Sequence, residues 1–168
     1  MKKIFFLLGT IAVALFGISF IKAEDKQFSE EALSQKLNDA NGKEISFKDI
    51  LKKHEGKTVV IEVWASWCSD CVKNMPNLKK LQAENPNVDF VFLSCDKTPE
   101  AWKAGVEKHT LVGDQYLIPN GMKGDFGKAI NLDWIPRYII VDKTGKIVLY
   151  RAIETDHEKV STLLKELN

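Results

Sequence analysis

The sequence predicts an α/β domain of three layers, α/β/α, built on a mixed central sheet. Two observations carry this. Short β-branched or aromatic runs, Val59-Val60-Ile61 and Val88-Asp89-Phe90-Val91-Phe92, alternate with segments whose apolar residues recur at helical spacing, such as Met75, Leu78 and Leu81. Alternation of this kind places helices on the faces of a buried sheet. The chain then closes with a hairpin about Asp142–Gly145 and a last helix, which adds antiparallel strands to the sheet.

The elements follow in order. Phe28–Asp39 belongs to a lead-in over 24–40, a short strand or helix, and Ala40-Asn41-Gly42-Lys43 is a turn. Glu44-Ile45-Ser46 is a short strand, and Phe47–His54 a short helix with Phe47, Ile50 and Leu51 inward. Gly56-Lys57 turns the chain into a central strand at Val59, and a helix over Val72–Glu84 follows. Asn85-Pro86-Asn87 ends that helix, and Val88–Ser94 is a second central strand. Thr98-Pro99-Glu100 starts a helix that runs to His109, because proline suits the first helical position. Leu111–Gly124 is irregular, and Gly124–Ile130 is a short helix. Tyr138–Val141 and Lys146–Arg151 form the hairpin. The last helix begins at Asp156 and carries Val160, Leu163, Leu164 and Leu167 on one face.

The start of the chain is different in kind. Met1-Lys2-Lys3 is basic, Ile4–Ile21 is almost wholly apolar, and Lys22-Ala23-Glu24-Asp25 turns polar. Residues 1–23 therefore have the form of a secretory signal cleaved after Ala23. The apolar run of 18 residues also approaches the length of a membrane span, so an N-terminal anchor is the alternative. Either way the domain is expected in the periplasm or cell envelope. Lys2, Lys3 and Lys22 are the only basic residues before Glu24, and all 23 acidic residues come later, so the remaining chain has a net charge of −2. This scattered, near-neutral surface argues against nucleic-acid binding. The 145 residues after Ala23 suit one domain, expected to be a monomer.

The chemistry lies in Trp67-Cys68-Ser69-Asp70-Cys71. The two cysteines stand where a central strand ends and a helix begins. Free N–H groups and the dipole of a helix N-terminus stabilise an anion there. The attacking species in disulfide exchange is the thiolate. Cys68, first and more exposed, is the expected nucleophile, and Cys71, one turn into the helix, the resolving thiol. A zinc site would need two more ligands, and the rest of the chain offers only Cys95, His54, His109 and His157 without ligand spacing. A structural disulfide across so short a loop would remove little chain entropy. No metal and no cofactor is expected.

Val59–Pro76 resembles the active-site block of the thioredoxin fold, specifically of the TlpA/ResA-like envelope thiol-disulfide oxidoreductases. Trp64-Ala65-Ser66-Trp67-Cys68 matches that family's lead-in, and Pro76 its helix proline. Ile135-Pro136 falls where its cis-proline loop should lie, followed by Arg137–Val148, which is similar to its last hairpin. The likeness covers 41–168, the expected thioredoxin-like domain. Ser69-Asp70 between the cysteines and Ile135 before the proline depart from common family choices.

The resemblance implies a cis Ile135–Pro136 bond whose backbone lies beside the dithiol and pairs with an extended substrate. It also implies a buried acid behind the resolving cysteine, at Glu62. The residues point to Glu62 independently, as a lone acid in an apolar strand. Burial without a partner raises a carboxyl pKa, which suits proton exchange with Cys71. Trp67 is expected to shape the substrate surface, Trp64 to line core or cleft, and Cys95 to be a buried small hydrophobe. The histidines are expected at the surface.

Two function classes are open at this point. One is a redox enzyme that reduces disulfides of exported proteins and is itself reduced by an upstream thiol donor, soluble or membrane-bound. The other is a binding module, a metal carrier or a chaperone of thiol-containing clients. Related copper carriers space their cysteines by three residues, where this chain has two, which favours the enzyme. The peroxidatic Thr-x-x-Cys pattern is absent.

Overall fold

A computed structural model of the protein describes residues 27–167. The leader expected over 1–23 lies outside the described residues. In chain order, α1 (Glu30–Ser34), β1 (Lys36–Asn38), β2 (Glu44–Ser46) and α2 (Phe47–Lys53) come first. Next are β3 (Val59–Trp64), α3 (Ser69–Glu84), β4 (Asp89–Ser94), α4 (Pro99–His109) and β5 (Asp114–Leu117). The chain ends with α5 (Asp125–Ala129), β6 (Arg137–Val141), β7 (Ile147–Ala152) and α6 (His157–Leu167).

Among the described residues, seven strands join one mixed sheet in the order β2-β1-β5-β4-β3-β6-β7. β3, β4 and β5 are parallel, because α3 and α4 carry the chain back between them. β6 lies antiparallel to β3, with Val63 opposite Arg137, and β7 continues the sheet antiparallel to β6. Every residue of β3 and β6 is buried, so both faces of the sheet are covered and the fold is the expected three-layer α/β/α sandwich.

This topology places the site. The C-terminal end of β3 and the start of β6 lie at the same edge of the sheet. The loop before α3 and the loop before β6 therefore meet there, at the carboxyl ends of the parallel strands where open α/β sheets place their sites.

Three elements differ from the expectations. The stretch Leu111–Gly124 is not wholly irregular: Asp114–Leu117 forms β5, parallel to β4. Its first two residues are polar and only half-buried, so it lacks the apolar run that marks an inner strand. The lead-in holds both a helix, α1, and a strand, β1, which sits between β2 and β5. The helix expected from Val72 begins at Ser69, with Cys68 as its cap.

His54 also departs from the surface position expected of it. It is buried, with Nδ1 2.8 Å from Asp89 and Nε2 3.1 Å from Asp114. The end of α2 is thereby tied to the starts of β4 and β5, across from the dithiol edge.

Candidate active site

α3 opens on the dithiol. Cys68 has an extended backbone (φ −79°, ψ 109°) and takes the cap position. The backbone N–H of Cys71 donates to its Sγ at 3.1 Å. This is the bond a serine or aspartate cap normally accepts, here given to sulfur. Cys71 is the third residue of the helix, so one helical turn brings the two Cα atoms to 5.3 Å, and the sulfurs are joined as a disulfide. Cys68 retains slight exposure at 7 %, whereas Cys71 has none. Pro76, inside α3, removes one backbone donor.

The loop before β6 closes over this pair. Ile135–Pro136 is cis, and the carbonyl oxygen of Ile135 lies 3.6 Å from Sγ of Cys68. The Ile135 side chain is buried. Arg137, also buried, pairs with Asp133, which in turn pairs with Arg151, so charge on β6 and β7 holds the loop at Asp133.

Beside the dithiol, Trp67 is exposed and Trp64 fully buried. Trp134, one residue before Ile135, is exposed as well, although the sequence drew no attention to it. Nothing but its position before the proline could have pointed to it.

Asp96 is a second residue that the sequence did not single out. Its buried carboxylate accepts from the backbone N–H of Ser66 at 3.1 Å, from the Ser66 hydroxyl at 2.6 Å and from the Ser94 hydroxyl at 2.8 Å. It thus fastens the Trp64–Cys68 loop to the end of β4. The Ser94-Cys95-Asp96 spacing after a strand is the signal that could have found it, since serine and aspartate hydrogen-bond locally at such turns. α4 braces the same loop: at Gly105 a Cβ would stand 2.7 Å from the Cβ of Ser66. Cys95 is buried, and its thiol is pushed up to about 12 by burial and then by the charge of Asp96.

Glu62 is buried at 1 % exposure, with neither carboxyl oxygen at full hydrogen-bond geometry to a partner. Burial pushes it up to about 8, and the nearby Tyr138 hydroxyl offsets only part of that rise. Glu62 faces Tyr138 across the β3–β6 register, so both side chains share one face of the sheet. Asn74 of α3 reaches down to the Tyr138 hydroxyl, donating at 2.7 Å. α3 therefore covers the Glu62 face, and Cys71, three residues before Asn74, lies on the same side of the helix. Among the described residues no cluster of three or more His, Cys, Asp or Glu is placed to hold a metal ion.

Two thiols one helical turn apart can open and close a ring, giving or taking two electrons at each cycle. Set at this edge of this sheet, they define a thiol-disulfide oxidoreductase of the thioredoxin fold. The Redoxin family profile matches residues 25–167, and the chain belongs to that family, as a TlpA/ResA-like member. It is 27% identical over 163 residues to the thiol-disulfide oxidoreductase ResA of Bacillus thuringiensis subsp. konkukian, covering 96% of this chain and 90% of that one. A solution structure from Bacteroides vulgatus, described as a thiol-disulfide oxidoreductase, is 35% identical with a TM-score of 0.67, covering 83% of this chain and 89% of that one. A secreted disulfide oxidoreductase of Mycobacterium tuberculosis shares the fold at 20% identity, with a TM-score of 0.64 over 83% of this chain and 100% of that one.

Proposed function

We propose that the protein reduces disulfides of exported proteins, with Cys68 as the attacking thiol. The observation that carries this is the capping geometry: Sγ of Cys68 receives a backbone N–H at the start of a 16-residue helix. The same bond and the helix dipole stabilise the thiolate once the disulfide is opened.

The cycle balances as follows. The Cys68 thiolate attacks one client sulfur, and the other leaves as a thiolate, giving a mixed disulfide. Cys71 then loses its proton and attacks Sγ of Cys68. The second client thiol is released, the client has gained two electrons, and the Cys68–Cys71 disulfide remains. Glu62, as carboxylate, takes the Cys71 proton. The oxidised form described above has Glu62 protonated at neutral pH, which is the state this step leaves. An upstream thiol donor reverses the ring closure and returns the proton.

Trp67 and the backbone of Ile135–Pro136 flank Cys68, the more exposed member of the pair, and they form the client contact. The basic and apolar start of the chain supports export, by a cleaved signal over 1–23 or an anchor, with the thioredoxin-like domain at 41–168 outside the cytoplasm. The test is turnover of insulin disulfides by the reduced protein. Reduction that disappears in Cys68→Ser supports the reading, and reduction that persists contradicts it.

A further inference from the structure

At Glu62 a buried carboxyl and a buried hydroxyl face one another. The Tyr138 oxygen accepts from Asn74, and Asn74 is itself steadied at its carbonyl by the side-chain amide of Asn77 at 2.9 Å. Tyr138 is buried, so its own proton cannot turn to water. Glu62, its partner across the β3–β6 register, has acceptor oxygens to spare. A buried donor and a buried acceptor left unpaired each carry a desolvation cost, which pairing removes.

We propose that Tyr138, held by Asn74, is a positioning residue that donates the hydrogen bond stabilising the ionised carboxylate of Glu62 during exchange. This rests on the role given to Glu62 above. Asn74 strengthens the donor: its N–H draws charge from the hydroxyl oxygen and makes the O–H more acidic. The direction agrees with the balance at Tyr138, where burial and the charge of Glu62 hold the proton on and Asn74 acts against them. Neighbouring elements offer Glu62 little else. β4 presents Phe92 opposite it, α3 presents Cys71 and Asn74, and the turn after β7 brings the carboxylate of Glu154, which acts on Tyr138 through charge.

Tyr138→Phe keeps the ring and deletes the donor. Two readouts are taken on the purified protein: the titration of the Glu62 carboxyl by isotope-edited NMR, and the pH–rate profile of insulin reduction. Loss of a hydrogen bond to the charged form raises the Glu62 midpoint, here by about one pH unit. The limb of the pH–rate profile should move the same way by the same amount. Asn74→Leu should give a smaller upward shift, which keeps the proposal testable if Tyr138→Phe folds poorly. In a Glu62→Gln background, Tyr138→Phe should leave the profile unmoved. A Glu62 midpoint unchanged in both Tyr138→Phe and Asn74→Leu overturns the proposal. A midpoint that moves while the profile stays fixed supports the hydrogen bond, but overturns the part Glu62 was given in exchange.

Discussion

At neutral pH an unfolded chain ionises Glu62, whereas the folded, oxidised protein keeps it protonated up to about 8. The sign of the consequence is definite. Between the ordinary 4.5 and about 8 the folded state binds one more proton than the unfolded state, so stability falls as pH rises through that window. Glu62→Gln should remove this slope and stabilise the protein at neutral pH by on the order of a few kcal/mol, read by denaturant titration at several pH values. The same substitution should slow disulfide exchange; an unchanged pH–rate profile would contradict the proton role. Cys71→Ser should trap a mixed disulfide with client, because the resolving step is lost, and Cys68→Ser should trap none. Faster alkylation of Cys71 than of Cys68 in the reduced protein would reverse that assignment. Glu62 and the dithiol were legible in the sequence because each breaks its local pattern, an acid in an apolar strand and two thiols at a strand–helix junction. Asp96 and His54 were not. Ser94 stands close to Asp96 in sequence and hints at a turn, but the site-loop partner, Ser66, is remote in sequence, and His54 depends wholly on the distant Asp89–Asp114 pair.

Among the elements, α4 packs closely on the site loop. Gly105 lets it lie directly on the loop that carries the dithiol, 3.1 Å from the Trp64 ring measured to the position of an added Cβ. Gly105→Ala should destabilise the protein by about 1–3 kcal/mol through overpacking, seen as a lower Tm. It should also slow exchange by displacing Ser66 from Asp96, which insulin turnover would read. At the opposite edge, His54→Ala should cost about 1–3 kcal/mol, since it removes the buried ring that bridges Asp89 and Asp114, although Asp114 keeps Lys53 and Tyr116 as donors. The strands that flank the site were legible because β3, β4 and β6 are largely apolar runs buried on both faces. β5 was not, since Asp114 and Gln115 open it and only Tyr116 and Leu117 are buried. Its place is set by pairing with β4, a long-range condition that local composition does not carry. The early start of α3 has a similar cause: its first residues Ser69 and Asp70 have no apolar spacing, and the cap is a sulfur.

For the whole molecule, the order of the sheet brings residues far apart in sequence to one edge, and the direction of electron flow is a property of that assembly. Strong oxidants of this class stabilise their reduced thiolate, which raises their potential. Here the helix start supplies one bond to Cys68, while Asp70, between the two cysteines in sequence, adds a like charge, half-exposed and screened by solvent. Screening limits the effect of that charge to roughly 20 mV or less toward the reducing side. Asp70→His should raise the potential, and no change would show that the charge between the cysteines has no part in it. The measurement that bears most directly on the account is the reduction potential of the Cys68–Cys71 couple itself, by equilibration with glutathione or dithiothreitol buffers. A reductant of exported disulfides should lie near the thioredoxin value, about −270 mV, and a value near that of strong disulfide-forming oxidants, about −120 mV, would contradict it.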